Sequence, residues 1–149
     1  MEVEYVFTIL TIINALFVTF VVFMQYKLSK DKFKLDLFEK RYAVYKATQK
    51  FLSKISLEAK IELDDLGRFK AETQDAVFLY KNDIVTYLED IYSKALSFWQ
   101  KQENIRDVPI GDERSSMSRE LSESFHELVS QLPELKNKFK SYLSFKAWK

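Results

Sequence analysis

Between Tyr5 and Tyr26 the chain reads YVFTILTIINALFVTFVVFMQY, 22 residues with neither a charge nor a proline. A bilayer span needs roughly 20 apolar residues at about 1.5 Å rise each, so this pattern predicts one transmembrane helix. Glu2 and Glu4 precede it, while Lys27, Lys30, Lys32 and Lys34 follow within a few positions. Lysine accumulates on the cytoplasmic side of a span, which predicts a short N-terminus outside and the remaining chain in the cytosol. A cleaved leader would show a basic start, a shorter apolar core and a small-residue cleavage site. None is present, so residues 1–28 read as an uncleaved, single-pass inner-membrane anchor. The competing reading is a buried core helix of a soluble protein.

Residues 29–149 change to a pattern in which apolar positions recur at steps of three and four. Ser29 or Asp31 caps a second helix that reaches about Leu63, unless the span itself runs on. Phe33, Leu37, Val44, Phe51, Leu52 and Ile55 form its stripe, with Thr48 as an interruption and Tyr45 at the edge. LDDLG, Leu63 to Gly67, reads as the first break, and Arg68 to Tyr80 follows as a helix with Phe69, Ala76, Val77, Leu79 and Tyr80 as its apolar positions. Asn82 or Asp83 caps the best-patterned helix, where Ile84, Leu88, Ile91, Tyr92, Ala95, Phe98 and Trp99 recur. The stretch 104–117, NIRDVPIGDERSSM, reads as the longest loop. Ser116 or Ser118 starts the next helix, lined by Leu121, Phe125, Leu128, Val129 and Leu132, and Pro133 either kinks it or opens a last helix.

At the C-terminal end Leu132, Leu135, Phe139, Tyr142 and Leu143 share a face, while Phe145 and Trp148 fall away from it among Lys136, Lys138, Lys140, Lys146 and Lys149. Two readings fit: a core face with solvated lysines, or a basic aromatic tail for anionic headgroups or a partner.

Only two glycines and two prolines occur in 149 residues, too few for the turns of a multi-stranded sheet. The fold class expected is therefore all-α: one N-terminal transmembrane helix followed by one cytosolic helical bundle. With 23 Lys and Arg against 22 Asp and Glu there is no basic excess, so nucleic acid is not an expected partner. The chain has no cysteine and a single histidine, which removes thiolate chemistry, zinc-thiolate sites and histidine clusters within one protomer. No metal and no cofactor is expected. Nor is there a nucleotide loop or a nucleophile with a partnered base, so the balance leans away from an enzyme.

The span is itself two-sided. Stepped at about 100° per residue, Thr8, Thr11, Asn14, Ala15, Val18, Thr19, Val22 and Gln25 fall on one side, and Ile9, Ile13, Leu16, Phe17, Phe20, Phe23 and Met24 on the other. Small and hydrogen-bonding residues mark helix contacts in lipid, where apolar bulk gives no preference for protein over acyl chain. An amide at the depth of Asn14 needs a partner. Identical copies are the simplest source, so a homo-oligomer is expected, with this face lining its contact or a conduit. The alternative is that threonines satisfy themselves on their own backbone and a single Asn is tolerated.

His126 follows Arg119 by seven residues in SRELSESFHEL, on one helix face two turns apart. This has the form of the R-X4-6-H motif of HEPN domains, all-helical bundles whose paired motifs across a dimer make a metal-independent RNA-cutting site. In that chemistry an imidazole moves the proton of an attacking hydroxyl and a guanidinium steadies phosphate charge. The competing reading is an exposed polar face on which Arg119 pairs with Glu123 at i,i+4.

FEKRYAVYKATQKFL, Phe38 to Leu52, and DAVFLYKNDIVTYLEDIYSKAL, Asp75 to Leu96, resemble a widespread group of small bacterial membrane-anchored helical proteins of unassigned role. The layout, a single span, a helical body and R-X6-H near the C-terminus, is also similar to the membrane accessory protein of type VI CRISPR systems. That resemblance implies a ring whose spans form a membrane pore in antiviral defence, with Arg119 and His126 at the matching positions. The function expected is an oligomeric single-pass effector or accessory protein that permeabilises the membrane under the control of a cytosolic protein partner. The alternatives are a membrane-tethered adaptor and, third, a tethered HEPN ribonuclease.

Overall fold

Long runs free of glycine and proline let helices follow one another with short connections. The computed structural model describes residues 2–144, and every regular element among them is an α-helix: α1 (Glu2–Glu58), α2 (Leu63–Thr73), α3 (Ala76–Leu79), α4 (Asn82–Arg106), α5 (Asp112–Val129) and α6 (Gln131–Phe139). The chain divides into two units, Met1–Leu37 and Phe38–Lys149.

The first unit is the N-terminal part of α1. It contains a window long and apolar enough to cross a membrane, and 0% of that window is buried. Leu16 and Phe17 are 66% and 65% exposed, as are most of their apolar neighbours from Val3 to Leu28. Nothing in this unit covers that surface.

The second unit has a closed core. On α4, Ile84, Leu88, Ile91, Ala95 and Phe98 recur at steps of three and four and are all buried. The helix packs against α2, α3, α5 and α6. From the body segment of α1 come Val44, Thr48, Phe51, Leu52 and Ile55, and Phe51 stacks on Phe69 of α2 with ring centroids 4.4 Å apart. Leu128, Leu135 and Phe139 close the remaining side from α5 and α6. Thr48 does not interrupt the α1 stripe. It is fully buried, its hydroxyl donating to the Val44 carbonyl at 2.9 Å, so its methyl faces the core at no polar cost. Phe33, expected on that stripe, is 68% exposed, and the buried run starts at Val44.

Several predicted boundaries move. Neither Ser29 nor Asp31 caps a helix, because α1 runs through both. It ends at Glu58 rather than near Leu63. Ala59 takes a left-handed φ of 48° and donates its N–H to the Ile55 carbonyl at 2.9 Å, the αL way of closing a helix, here without the usual glycine. LDDLG is therefore not a break but the start of α2, and Gly67 sits inside that helix. What starts α2 is Asp65, whose carboxylate accepts the Glu62 N–H at 3.1 Å and the Lys54 ammonium at 2.7 and 2.8 Å. An acidic group in the first turn also opposes the helix dipole favourably.

The single helix expected over Arg68 to Tyr80 breaks after Thr73, and the short α3 leaves Val77 57% exposed. Helix α4 begins at Asn82, with Lys81 rather than Asn82 or Asp83 in the capping position. The loop expected over 104–117 shrinks to residues 107–111. The Arg114 guanidinium bridges this connection: from the first turn of α5 it donates to the carbonyl of Ile105 in the last turn of α4 and to that of Val108 in the loop, which satisfies both groups locally. Pro133 lies in the first turn of α6, where its missing N–H is harmless. Leu135 and Phe139 are buried as their shared face requires, while the positions of Phe145, Lys146, Trp148 and Lys149 lie outside the described residues.

Candidate functional site

In the first unit the polar face resolves into two kinds of side chain. The Thr8, Thr11 and Thr19 hydroxyls each donate to the carbonyl four residues back, on Glu4, Phe7 and Ala15, at 2.8 Å. Those donors are satisfied within the helix. The carboxamides of Asn14 and Gln25 have no hydrogen-bond partner among the described residues. A carboxamide carries two donors and an acceptor and cannot be closed by its own backbone as a hydroxyl is. Ala15, Val18 and Val22 complete the face and are exposed like the rest of the segment.

On the second unit Arg119 and His126 both lie on exposed positions of α5. Seven residues correspond to about 10.5 Å of axial rise and to nearly the same side of the helix. Arg119 borders an open concavity with Ile110, Gly111, Arg114, Ser115, Ser118 and Ser122, and His126 lies outside it. The i,i+4 pairing of Arg119 with Glu123 does not form: none of the ion pairs among the described residues includes Arg119. His126 meets the ring edge of Phe125 at 5.7 Å and makes no side-chain hydrogen bond there. A general base is ordinarily oriented by a third group, and no described residue of the same chain orients this imidazole.

The body also holds a polar cluster that periodicity does not reveal. Arg41 donates from Nε to the Leu79 carbonyl at 2.8 Å, and its guanidinium lies over the rings of Tyr80 and Tyr142, 5.7 and 5.6 Å from their centroids. The Tyr80 hydroxyl donates to the Arg41 carbonyl, and that of Tyr142 to Asp83 Oδ1, both at 2.6 Å. Burial pushes the Tyr80 phenol far above its ordinary 10.0, which keeps it a neutral donor. The cluster ties the start of the body segment to α3 and to the turn that follows α6. A cation flanked by tyrosines far along the chain was the available signal, but it has no fixed spacing.

Among the described residues of the body three apolar side chains stand almost fully uncovered, Leu57 at 86%, Phe78 at 84% and Ile110 at 96% exposure. Among the described residues no group of His, Asp and Glu is placed to hold a metal ion. No family model matches the chain, and neither a curated protein nor a solved structure matches it.

Proposed function

We propose that this is a single-pass membrane protein that assembles through its span and acts at the membrane as an effector or accessory protein, permeabilising the bilayer once assembled. One observation carries the reading: a charge-free apolar segment at the start of α1, with no part of its membrane-length window buried, presents a carboxamide near its middle that has no partner among the described residues. Hydrocarbon supplies no partner for Asn14, so a second copy supplies it. The lysines after Tyr26 support a cytosolic body and an outside N-terminus in the inner membrane. The pore and the role in antiviral defence rest on the similarity of layout to the type VI CRISPR accessory protein. Native mass of the full-length protein in mild detergent, paired with dye release from vesicles carrying it, tests the proposal. The expected result is a closed assembly that releases dye, with Asn14→Leu losing both; a monomer, or unchanged release from the Asn14→Leu protein, overturns it.

A second reading, a membrane-tethered adaptor, is favoured by Phe78 and Ile110, apolar side chains that the body leaves in water. On that reading an unrelated leucine-rich span in place of residues 5–26 preserves function, and on the first reading it does not.

A further inference from the structure

The eight polar and small positions of the span do not form one broad face once their hydrogen bonds are known. Asn14 and Gln25 are eleven residues apart, which on an α-helix is three turns with only about 20° of drift, so they stand on one straight ridge. Val18 lies between them, within about 40° of both. Thr8 and Thr19 are also eleven apart and make a second ridge, about 120° round the helix from the first. Helices packed in parallel about one axis present a single ridge to it, so both cannot face inward together.

The chemistry separates the two. Both hydroxyls of the threonine ridge already donate within the helix, to Glu4 and Ala15. Both carboxamides of the other ridge are unpartnered among the described residues. A carboxamide is self-complementary, since its NH2 donates to the carbonyl of an identical group. Copies inserted with one topology hold equal residues at equal depth. Asn14 then meets Asn14 and Gln25 meets Gln25 without any vertical shift.

We infer that the span associates with further copies of this chain through the Asn14–Val18–Gln25 ridge alone, in parallel and in register, with two amide layers fixing the depth and the threonine ridge turned away from the axis. An eleven-residue repeat gives about 3.67 residues per turn, so the crossing is close to straight or slightly right-handed, unlike a heptad seam. Val18 is the packing residue between the layers. This rests on the self-assembly proposed above and adds its register, its hand and the exclusion of the Thr8 and Thr19 hydroxyls.

The chain has no cysteine, so single cysteines can be introduced without background. Full-length Val18→Cys and Phe20→Cys proteins are placed in phosphatidylcholine vesicles and oxidised, with native mass measured in parallel. Phe20 lies about 160° from Val18 on the helix. The expected result is an assembled particle whose subunits cross-link at position 18 and not at 20. Asn14→Leu and Gln25→Leu each lower the cross-linked fraction about fivefold or more in the Val18→Cys background, and Thr8→Val with Thr19→Val leaves it unchanged. An assembled particle that cross-links equally at 20, or not at 18, overturns the ridge while the assembly stands. A monomeric mass overturns the assembly reading itself.

Discussion

The two units use similar residues against opposite surroundings. Phe17 in the first is 65% exposed, and Phe98 in the second is 1% exposed. Threonine behaves identically in both: Thr48 and Thr73 in the core donate to the carbonyls of Val44 and Phe69, as Thr8, Thr11 and Thr19 do in the first unit. Carboxamides behave differently. Gln102 of the body both donates to the Ile61 carbonyl and accepts from the Ile61 N–H, each at 3.0 Å, whereas Asn14 and Gln25 find no partner among the described residues. A hydroxyl beside apolar surroundings closes on its own turn and says little about neighbours. An amide needs a second element, and where the chain does not supply one it points to another molecule.

The comparison breaks most sharply at a core side chain. Phe98→Ala removes a fully buried ring from α4 and is expected to lower the stability of the body by about 3–5 kcal/mol. Thermal unfolding followed by circular dichroism shows this as a large fall in the body's transition, while insertion of the span, measured by alkaline extraction of membranes, is unchanged. Loss of insertion in that variant would mean the two units do not behave separately.

The Lys54–Asp65 pair gives a smaller and pH-dependent effect. Burial alone would raise the Asp65 carboxyl, but the Lys54 ammonium and the Glu62 N–H outweigh it and hold the group below its ordinary 3.8. A carboxyl depressed by folding contributes stability above its unfolded value and loses it as the pH falls through the folded one. The body should therefore lose stability on acidification below about pH 4, and Asp65→Asn should flatten that part of the profile. Lys54 is raised above 10.5, mainly by its hydrogen bond to Asp65, so its contribution is complete below that value and lost above it. At neutral pH the substitution is expected to cost about 1.5–3 kcal/mol, the range for hydrogen bonds to charged groups.

The smallest effect on stability belongs to the motif positions. Arg119→Ala and His126→Ala alter exposed side chains that make no ion pair or side-chain hydrogen bond among the described residues and should change unfolding by less than about 0.5 kcal/mol. Because the fold survives, each variant reads function directly. Loss of RNA cleavage by the purified protein in both would make the ribonuclease reading the leading one, and absence of cleavage in the parent chain would remove it.

The all-helical class was legible because breakers are so rare, and the core of α4 because Ile84, Leu88, Ile91, Ala95 and Phe98 keep helical spacing, with only the buried Tyr87 outside that series. The ends of helices were not legible, for identifiable reasons. Ala59 has no propensity for the conformation it adopts, and the α4–α5 connection is bridged by Arg114 reaching back to two carbonyls, a contact without a sequence signature. Of the candidate site, the polar positions of the span were visible as a face. Their division into satisfied hydroxyls and open amides required the hydrogen bonds.

The turn after α1 carries a consequence for the order in which the chain matures. Ala59 adopts the left-handed region although a side chain there costs roughly 1–2 kcal/mol, so local preference does not stop the helix. Ile61 is 1% exposed and both of its backbone groups are held by Gln102, forty-one residues later. Those two bonds cannot form until Gln102 has been synthesised. During translation the connection after α1 thus lacks these two bonds while α2, α3 and most of α4 emerge, and Ile61 is fixed by a residue that arrives late.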